Sequence, residues 1–244
     1  MKRLDQELVD RGLCDSREKA RRAIMAGRVR INDQTARKPS DSVSSRDALS
    51  LDAPEKYASR GGHKLEHALA SFNLDVQAKV AIDLGASTGG FTDCLLQHGA
   101  RKVYAVDVGS GQLAWKLRND PRVVVMEKTN ARELRPAHFP EAADIITVDC
   151  SFISLQKILP AAVALLRTSG KIVALIKPQF EAGKAEADKG AGVITDPAVH
   201  ERVLRELKEF VATQLPLRWV AFTQSPLLGP AGNKEFLVLL EKIG

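Results

Sequence analysis

The residues from Val80 to Gly109, VAIDLGASTGGFTDCLLQHGARKVYAVDVG, combine a glycine-rich turn with acidic residues that could bind a nucleotide. A short apolar strand runs into the turn, a helical pattern follows, and a second apolar strand ends on Asp107. Glycines let the backbone approach a ligand closely, and an acid at this position can accept hydrogen bonds from ribose hydroxyls. The segment therefore predicts a site for a cofactor with an adenosine moiety. The alternative is a tight turn that binds nothing.

The spacing of the turn distinguishes between cofactors. Gly85-Ala-Ser-Thr-Gly89-Gly90 departs from the G-x-G-x-x-G of dinucleotide sites, where a pyrophosphate sits on a helix N-terminus. Asp83 would repel a pyrophosphate but suits the amino and sulfonium groups of S-adenosylmethionine. We expect Asp83 to support the loop or to bind the amino group. Asn130, after the third strand, is in the position that often contacts adenine, although it could equally be a turn residue. The predicted cofactor-binding residues are Asp83, Gly85, Ser87, Thr88, Gly89, Gly90, Phe91, Asp107, Val108, Asn130 and Asp149.

Two further polar residues follow apolar strands. Asp149 ends Ile145–Val148 and Lys177 ends Ile172–Ile176. Active sites of parallel sheets lie at the carboxyl ends of the strands, and a lysine there must emerge into a cleft or be paired. We expect both residues in an active site. The alternatives are a helix cap for Asp149 and a surface position for Lys177.

Strands and helices alternate along most of the chain, which predicts a doubly wound α/β fold. The last two strands, Arg218–Phe222 and Phe236–Leu240, are joined only by a Pro/Gly-rich loop and should pair antiparallel. A mostly parallel seven-stranded sheet with an antiparallel last strand is the Rossmann-like fold of S-adenosylmethionine-dependent methyltransferases. The loop from Glu181 to Thr195 could close over RNA, or be a plain surface loop. The other predicted strands are Val80–Leu84, Val103–Asp107, Val123–Met126, Ile145–Val148 and Lys171–Ile176.

The N-terminal quarter predicts a small basic α+β module. Ser16 is a good N-cap for a second helix, and a basic hairpin follows it. Between Arg17 and Lys38, eight basic residues stand against two acidic ones, which suits a polyanion such as RNA. A solvated basic face without a partner is the alternative. The predicted RNA-binding residues are Arg3, Arg17, Lys19, Arg21, Arg22, Arg28, Arg30, Lys38 and Arg60.

Composition excludes other classes of protein. The three cysteines, Cys14, Cys94 and Cys150, lie far apart, so neither a disulfide framework nor a metal site is expected. No apolar run reaches the roughly 18 residues that span a bilayer. The N-terminus lacks the apolar core of a signal peptide, and we expect a cytoplasmic protein without a membrane partner.

Several motifs occur in order and resemble the TlyA family, often labelled hemolysin A. That family joins an alpha-L RNA-binding module, of the ribosomal protein S-four type, to an FtsJ-like ribose 2′-O-methyltransferase domain. Its Lys-Asp-Lys-Glu tetrad corresponds here to Lys64, Asp149, Lys177 and Glu235. The resemblance implies ribosomal RNA or ribosomal subunits as partner, cytidine as target and no metal. The motifs are Ser59–Leu65, the glycine segment, Val148–Leu155, Ile176–Glu181 and Gly232–Phe236.

We expect three regions: the RNA-binding domain at 1–54, a linker at 55–60 and the methyltransferase domain at 61–244. Alternative functions are a membrane-active hemolysin, an RNA- or ribosome-binding protein without activity, and a small-molecule methyltransferase. The modified nucleotide, the subunit that carries it and the oligomeric state stay open.

Overall fold

The computed structural model describes residues 1–53, 55–183, 186, 188 and 190–243. The chain divides into two compact units, Met1–Lys56 and Tyr57–Gly244. Residues 57–60 of the predicted linker lie in the second unit, where the Tyr57 side chain is buried in the core. Residue 54, residue 244 and residues 184, 185, 187 and 189 of the predicted 181–195 loop lie outside the described part.

The N-terminal unit packs two short helices on small sheets. Ser16 caps the second helix, its side chain accepting a hydrogen bond from the Lys19 amide, as the sequence predicts. Leu4, Leu8 and Ile24 are fully or almost fully buried between the helices. The elements are β1 (Lys2–Arg3), α1 (Leu4–Asp10), α2 (Arg17–Met25), β2 (Val29–Ile31), β3 (Gln34–Thr35), β4 (Ser42–Val43) and β5 (Leu49–Leu51).

The second unit is built on a seven-stranded sheet. In space the strands follow the order β11-β12-β10-β9-β6-β7-β8, and β10, β9, β6, β7 and β8 are mutually parallel. This confirms the predicted fold class. The strands are β6 (Val80–Leu84), β7 (Lys102–Val106), β8 (Val123–Met126), β9 (Ala143–Val148), β10 (Leu166–Ile176), β11 (Leu217–Gln224) and β12 (Phe236–Lys242).

The last two strands pair antiparallel, as their short connection predicts. β12 lies between β10 and β11 and is antiparallel to both. The insertion of β12 beside β10 brings Phe236 opposite Ile176, so the residues just before β12 and just after β10 meet at one edge of the sheet. This register is what brings Glu235 and Lys177 to the same region.

Helices cover both faces of the sheet, and side chains of a strand alternate between the faces. In β6, Val80, Ile82 and Leu84 join one apolar core, whereas Ala81 joins the other. Of the described helices, none is long and apolar enough to cross a membrane. The helices are α3 (Gly61–Ser71), α4 (Gly90–Gln97), α5 (Trp115–Arg118), α6 (Leu159–Leu165), α7 (Pro178–Glu181) and α8 (Pro197–Gln214), with 3-10 turns at Ala131–Glu133, Pro136–His138 and Leu155–Lys157.

Candidate active site

Two adjoining cavities lie where the central strands end. Gly85 follows β6, Asp107 follows β7, Asp149 follows β9 and Lys177 follows β10. The strand order reverses between β6 and β9, and open parallel sheets bind ligands at such a switch point. The two cavities share Gly85, Ser87, Asp149 and Ser151 in their walls.

The first cavity, of about 490 Å³, has the residues for an adenosine moiety. Asp107 is half-buried in its wall, and its two carboxylate oxygens accept hydrogen bonds from the Ser87 and Gly109 amides at 2.8 and 2.7 Å. These bonds hold the glycine turn and the loop after β7 together around the acid. Burial raises the pKa of the Cys150 thiol in this wall to about 12, so the thiol stays protonated. The predicted residues in this cavity are Gly85, Ser87, Asp107, Val108, Asn130 and Asp149.

Asn130 lines this cavity, but its side chain is engaged locally. The amide oxygen accepts from the Arg132 backbone, and the amide nitrogen donates to Glu133 at 2.9 Å. Asn130 thus caps a 3-10 turn, which is the alternative that the sequence left open. A contact with adenine stays a prediction.

The glycines of the turn mainly make room for protein. A Cβ on Gly85, at φ +87°, would lie 2.6 Å from the Asp149 carbonyl oxygen. A Cβ on Gly89 would overlap Leu117, and one on Gly90 would lie 2.3 Å from the Ser59 hydroxyl. Gly89 lines neither cavity, and its contact with the cofactor stays a prediction.

Asp83 occupies the first of its two predicted roles, support of the loop. Its side chain is fully buried beneath the turn, lines neither cavity and accepts hydrogen bonds from Thr92 and Thr147 at 2.7 and 2.8 Å. Burial raises the pKa of this carboxyl to about 6 against the opposing threonine bonds. The alternation of side chains along β6 places Asp83 on the face covered by α4. It supports the turn from below, and a contact with the cofactor stays a prediction.

The second cavity, of about 280 Å³, contains all four residues of the tetrad. Lys64 comes from α3, Asp149 from the end of β9, Lys177 from the end of β10 and Glu235 from the residue before β12. Its wall also includes the predicted residues Gly85, Ser87, Thr88, Gly90, Phe91 and Arg60.

The tetrad forms two ion pairs. Lys64 Nζ lies 2.5 Å from Glu235 Oε2, and Lys177 Nζ lies 2.7 Å from Asp149 Oδ1. Both lysines are more than nine-tenths buried, and Glu235 is 1% exposed. A buried ammonium group is tolerated only with a partner of opposite charge, which explains why each lysine lies against a carboxylate.

Three supporting residues were missed by the sequence analysis. Ser151 accepts a hydrogen bond from Lys177 at 2.9 Å. Glu181, on the helix after Lys177, accepts from the Ser154 hydroxyl and the Leu155 amide at 2.6 and 2.8 Å, and burial raises the pKa of its carboxyl. Because these bonds join α7 to the loop after β9, they fix Lys177 relative to Asp149.

Asn233 is the third of these residues and belongs to the Gly232–Phe236 motif. It is 1% exposed, accepts from the Ile194 amide at 2.9 Å and donates to the Gly192 carbonyl at 2.8 Å. These bonds anchor the loop that carries Glu235. The motif could have indicated that Asn233 belongs to the site, but the sequence does not show whether its amide is buried.

The predicted RNA-binding residues fall into two groups. Arg60 is exposed and lines the second cavity. The others belong to the N-terminal unit, where Arg28 is partly buried and the rest are exposed: Arg3, Arg17, Lys19, Arg21, Arg22, Arg30 and Lys38.

The residues that line the two cavities suit the chemical groups of S-adenosylmethionine. Glu235 Oε1 is buried and receives no hydrogen bond from the described residues, so it can accept from a donor of a cofactor or substrate. Asp107 suits a ribose, and carboxylates suit the amino and sulfonium charges. Within the described residues there is no cluster of His, Cys, Asp and Glu that could hold a metal ion.

Comparison with known proteins identifies the family of this chain. Residues 57–242 match the family described as FtsJ-like methyltransferase, and residues 2–49 match the S4 domain. The chain is 47% identical to the 16S/23S rRNA (cytidine-2′-O)-methyltransferase TlyA of Mycobacterium tuberculosis, over 98% of this chain and 89% of that protein. It is 42% identical to Hemolysin A of Brachyspira hyodysenteriae, over 96% of this chain and 98% of that one. A solved structure of a candidate hemolysin from Streptococcus thermophilus is 45% identical, covers 99% of this chain and 88% of its own, and has a TM-score of 0.76.

Proposed function

Because the chain belongs to the FtsJ-like methyltransferase family and carries an S4 domain before it, we propose that this enzyme methylates a ribose 2′-hydroxyl of ribosomal RNA. The methyl donor of the family is S-adenosylmethionine. The relative from Mycobacterium tuberculosis is named as a cytidine-2′-O-methyltransferase, which makes cytidine the proposed target nucleoside. The proposed setting is the cytoplasm, where the substrate is ribosomal RNA or a ribosomal subunit.

One observation carries this proposal: the four side chains of the tetrad line a single cavity that shares a wall with the cavity at Asp107. A methyl donor at Asp107 and a ribose at the tetrad would therefore meet across Gly85, Ser87, Asp149 and Ser151. Holding nucleophile and donor together supplies much of the rate of such a displacement.

Each residue of the tetrad has a proposed task. S-adenosylmethionine, when bound, supplies a methyl group activated by its sulfonium. Lys177 holds the 2′-oxygen and, in its neutral form, accepts the hydroxyl proton at Nζ. Asp149 and Ser151 orient Lys177, because both contact its Nζ. Glu235 holds Lys64 at the other side of the cavity and balances its charge.

The cofactor would be held by the turn and the strand ends. Asp107 would bind the ribose hydroxyls of the cofactor, and the turn from Gly85 to Gly90 would lie against its methionine end. Asp149, which lines both cavities, would accept from the amino group or the substrate.

The Lys177→Ala variant tests the proposal. Purified enzyme is incubated with methyl-labelled S-adenosylmethionine and ribosomal subunits, and the RNA is then hydrolysed with alkali. A 2′-O-methyl group blocks alkaline cleavage, so we expect label in alkali-stable dinucleotides with the wild type and a loss of at least about 100-fold with Lys177→Ala.

The matched control is Lys234→Ala, which removes an exposed lysine next to Glu235. It should methylate as the wild type does, and both variants should bind S-adenosylmethionine. Full methylation by Lys177→Ala would contradict the role of this lysine. Wild-type protein that binds subunits without transferring label would instead favour an inactive RNA-binding protein, and lysis of red cells would favour the hemolysin alternative.

A further inference from the structure

A single buried carboxylate in the N-terminal unit holds three arginines. Asp5 is 0% exposed and lies in the first turn of α1. Arg3 approaches it with two nitrogens, Nε at 3.0 Å and Nη2 at 3.2 Å, in a bidentate pair. Arg17 Nη2 and Arg21 Nε donate to the second oxygen at 3.1 and 3.0 Å.

The spacing of the arginines explains this convergence. Arg17 and Arg21 are four residues apart on α2, so they share one face of that helix. Arg3 comes from β1, directly before α1. Asp5 therefore joins two elements through one carboxylate, and the arginines themselves cover it. Hydrogen bonds from Arg3, then from Arg21 and Arg17, hold the pKa of the Asp5 carboxyl well below its usual range, so it stays ionised at neutral pH.

Most of the donor capacity of the three guanidinium groups is left for a ligand. A guanidinium has five N–H donors, and Arg17 and Arg21 each give only one contact to Asp5. Their side chains and that of Arg3 are about half exposed, at 47%, 56% and 49%. Three positive charges against one negative charge leave the cluster cationic.

Neighbouring basic residues on the same helix are arranged differently. Lys19 pairs with Asp15, whose side chain is 82% exposed, and Arg22 lies 3.6 Å from Glu18, which is 80% exposed. Exposed pairs of this kind hold a side chain weakly. Of the basic residues on α2, only Arg17 and Arg21 bond to a buried carboxylate on another element, which is Asp5 on α1.

We propose that Asp5 builds Arg3, Arg17 and Arg21 into one preorganised site for the phosphodiester backbone of RNA. The inference rests on the proposed function and adds to it a role for an acidic residue within a basic surface. Asp5 is a positioning residue: it orders three long side chains before RNA binds, so that less conformational entropy is lost on binding. Bidentate guanidinium groups match phosphate oxygens in geometry as well as in charge.

The proposal predicts that Asp5→Asn weakens RNA binding, whereas the change in net charge alone predicts stronger binding. Asp5→Asn raises the net charge of a basic surface by one unit, which alone should strengthen binding to RNA. Loss of the ordered arginines should instead weaken binding, by on the order of tenfold. The matched control, Asp15→Asn, makes the same change of charge on an exposed residue and should bind RNA at least as tightly as the wild type.

Full-length proteins are titrated with deproteinised ribosomal RNA at several salt concentrations between 50 and 200 mM. Because Asp5→Asn keeps all the cations, its plot of log Kd against log salt should shift in parallel, with an unchanged slope. A domain that had lost its fold would show a smaller slope and an altered circular dichroism spectrum. The double variant Arg17→Lys, Arg21→Lys keeps the charge, loses the guanidinium fork and should also lose about tenfold in affinity.

Binding by Asp5→Asn that equals or exceeds the wild type would overturn the inference, as would wild-type affinity in the double lysine variant. A wild-type protein that binds RNA without salt dependence would overturn the RNA-binding part of the proposed function together with this inference. Wild-type methylation in the dinucleotide assay, alongside unaltered binding by Asp5→Asn, would overturn this inference and leave the proposed function standing.

Discussion

Charged side chains in this protein are placed by their partners. Lys64 and Lys177 are buried against carboxylates, Asp5 is buried under arginines, and Asp83 is buried against threonine hydroxyls. The first three arrangements keep opposite charges together, and the last one leaves a carboxylate without a cation beside it. This difference has a measurable consequence for stability.

Asp83→Asn should change how stability depends on pH. The folded-state pKa of Asp83 is raised from 3.8 to about 6, so the folded protein binds this proton more tightly than the unfolded chain. The resulting stabilisation is present below about pH 4 and is lost as pH rises through 6. The free energy of unfolding of the wild type should therefore fall relative to Asp83→Asn by about 2 kcal/mol between pH 4 and pH 7. Urea unfolding of both proteins across this range measures it, and a difference independent of pH would contradict it.

Gly85→Ala tests the close approach of the turn to the Asp149 backbone. The new Cβ would lie 2.6 Å from the Asp149 carbonyl oxygen at a φ of +87°, so both strain and overlap are expected. We expect a loss of stability on the order of 3 kcal/mol and at least tenfold weaker binding of S-adenosylmethionine.

Gly111→Ala is the matched control for that variant. Gly111 has a φ of +72° but open space around its Cβ position, so only the backbone strain, about 1 kcal/mol, should appear. Urea unfolding and equilibrium binding distinguish the two glycines. Equal effects in both variants would show that overlap with Asp149 is unimportant.

The residues of the site lie on loops that few hydrogen bonds hold in place. The loop after β9 brings Asp149 and Ser151, and Lys177 lies between β10 and α7. Two hydrogen bonds that Glu181 accepts join that loop to α7. The relative position of Lys177 and Asp149 therefore depends on a residue that lines neither cavity.

Glu181→Ala should lower kcat more than it weakens cofactor binding. The change leaves the Leu155 amide and the Ser154 hydroxyl without their acceptor, which loosens the loop holding Asp149. We expect at least a tenfold loss of kcat, because misplacement of a catalytic group by about 1 Å is costly, and less than a threefold change in the Kd of S-adenosylmethionine. Glu201→Ala, at an exposed position of α8, is the control and should leave both constants unchanged. An unaltered kcat in Glu181→Ala would contradict the positioning role.

We expect the N-terminal unit to bind RNA through its charge and the second unit to carry the reaction site. Residues 1–56 hold 13 basic and 10 acidic residues, so the first unit carries +3 of the total net charge of +6 on less than a quarter of the chain. The buried tetrad belongs to the second unit, and its charges are paired. Affinity for RNA should accordingly depend on salt, whereas affinity for the cofactor should depend on the enclosed site.

Raising monovalent salt from 50 to 200 mM should weaken RNA binding by about a hundredfold, the change expected for release of counterions at four phosphate contacts. Binding of S-adenosylmethionine should change by less than twofold, because buried groups are poorly screened. Filter binding and calorimetry on the same preparation measure the two constants. Parallel salt dependence of both would contradict the division.

Local patterns in the sequence were sufficient for the strands, their order along the chain, the cap at Ser16 and the antiparallel ending. These features depend on neighbouring residues and on periodicity, which a sequence displays directly. The acids and the lysine that follow apolar strands could be predicted for the same reason. Parallel strands end at one edge of a sheet, whatever the packing elsewhere.

Only the tertiary structure decided which charged groups meet. Lys64 and Glu235 are 171 positions apart and pair because β12 inserts beside β10, which no local pattern specifies. The sequence left open whether Asp83 supports the loop or binds the cofactor, and the alternation of β6 turns it onto the buried face under α4. The arginines Arg3, Arg17 and Arg21 read as one basic patch, and packing of α1 on α2 gives them a shared acceptor. Desolvation and pairing act over distances in space, so they follow from the fold and not from the order of the residues.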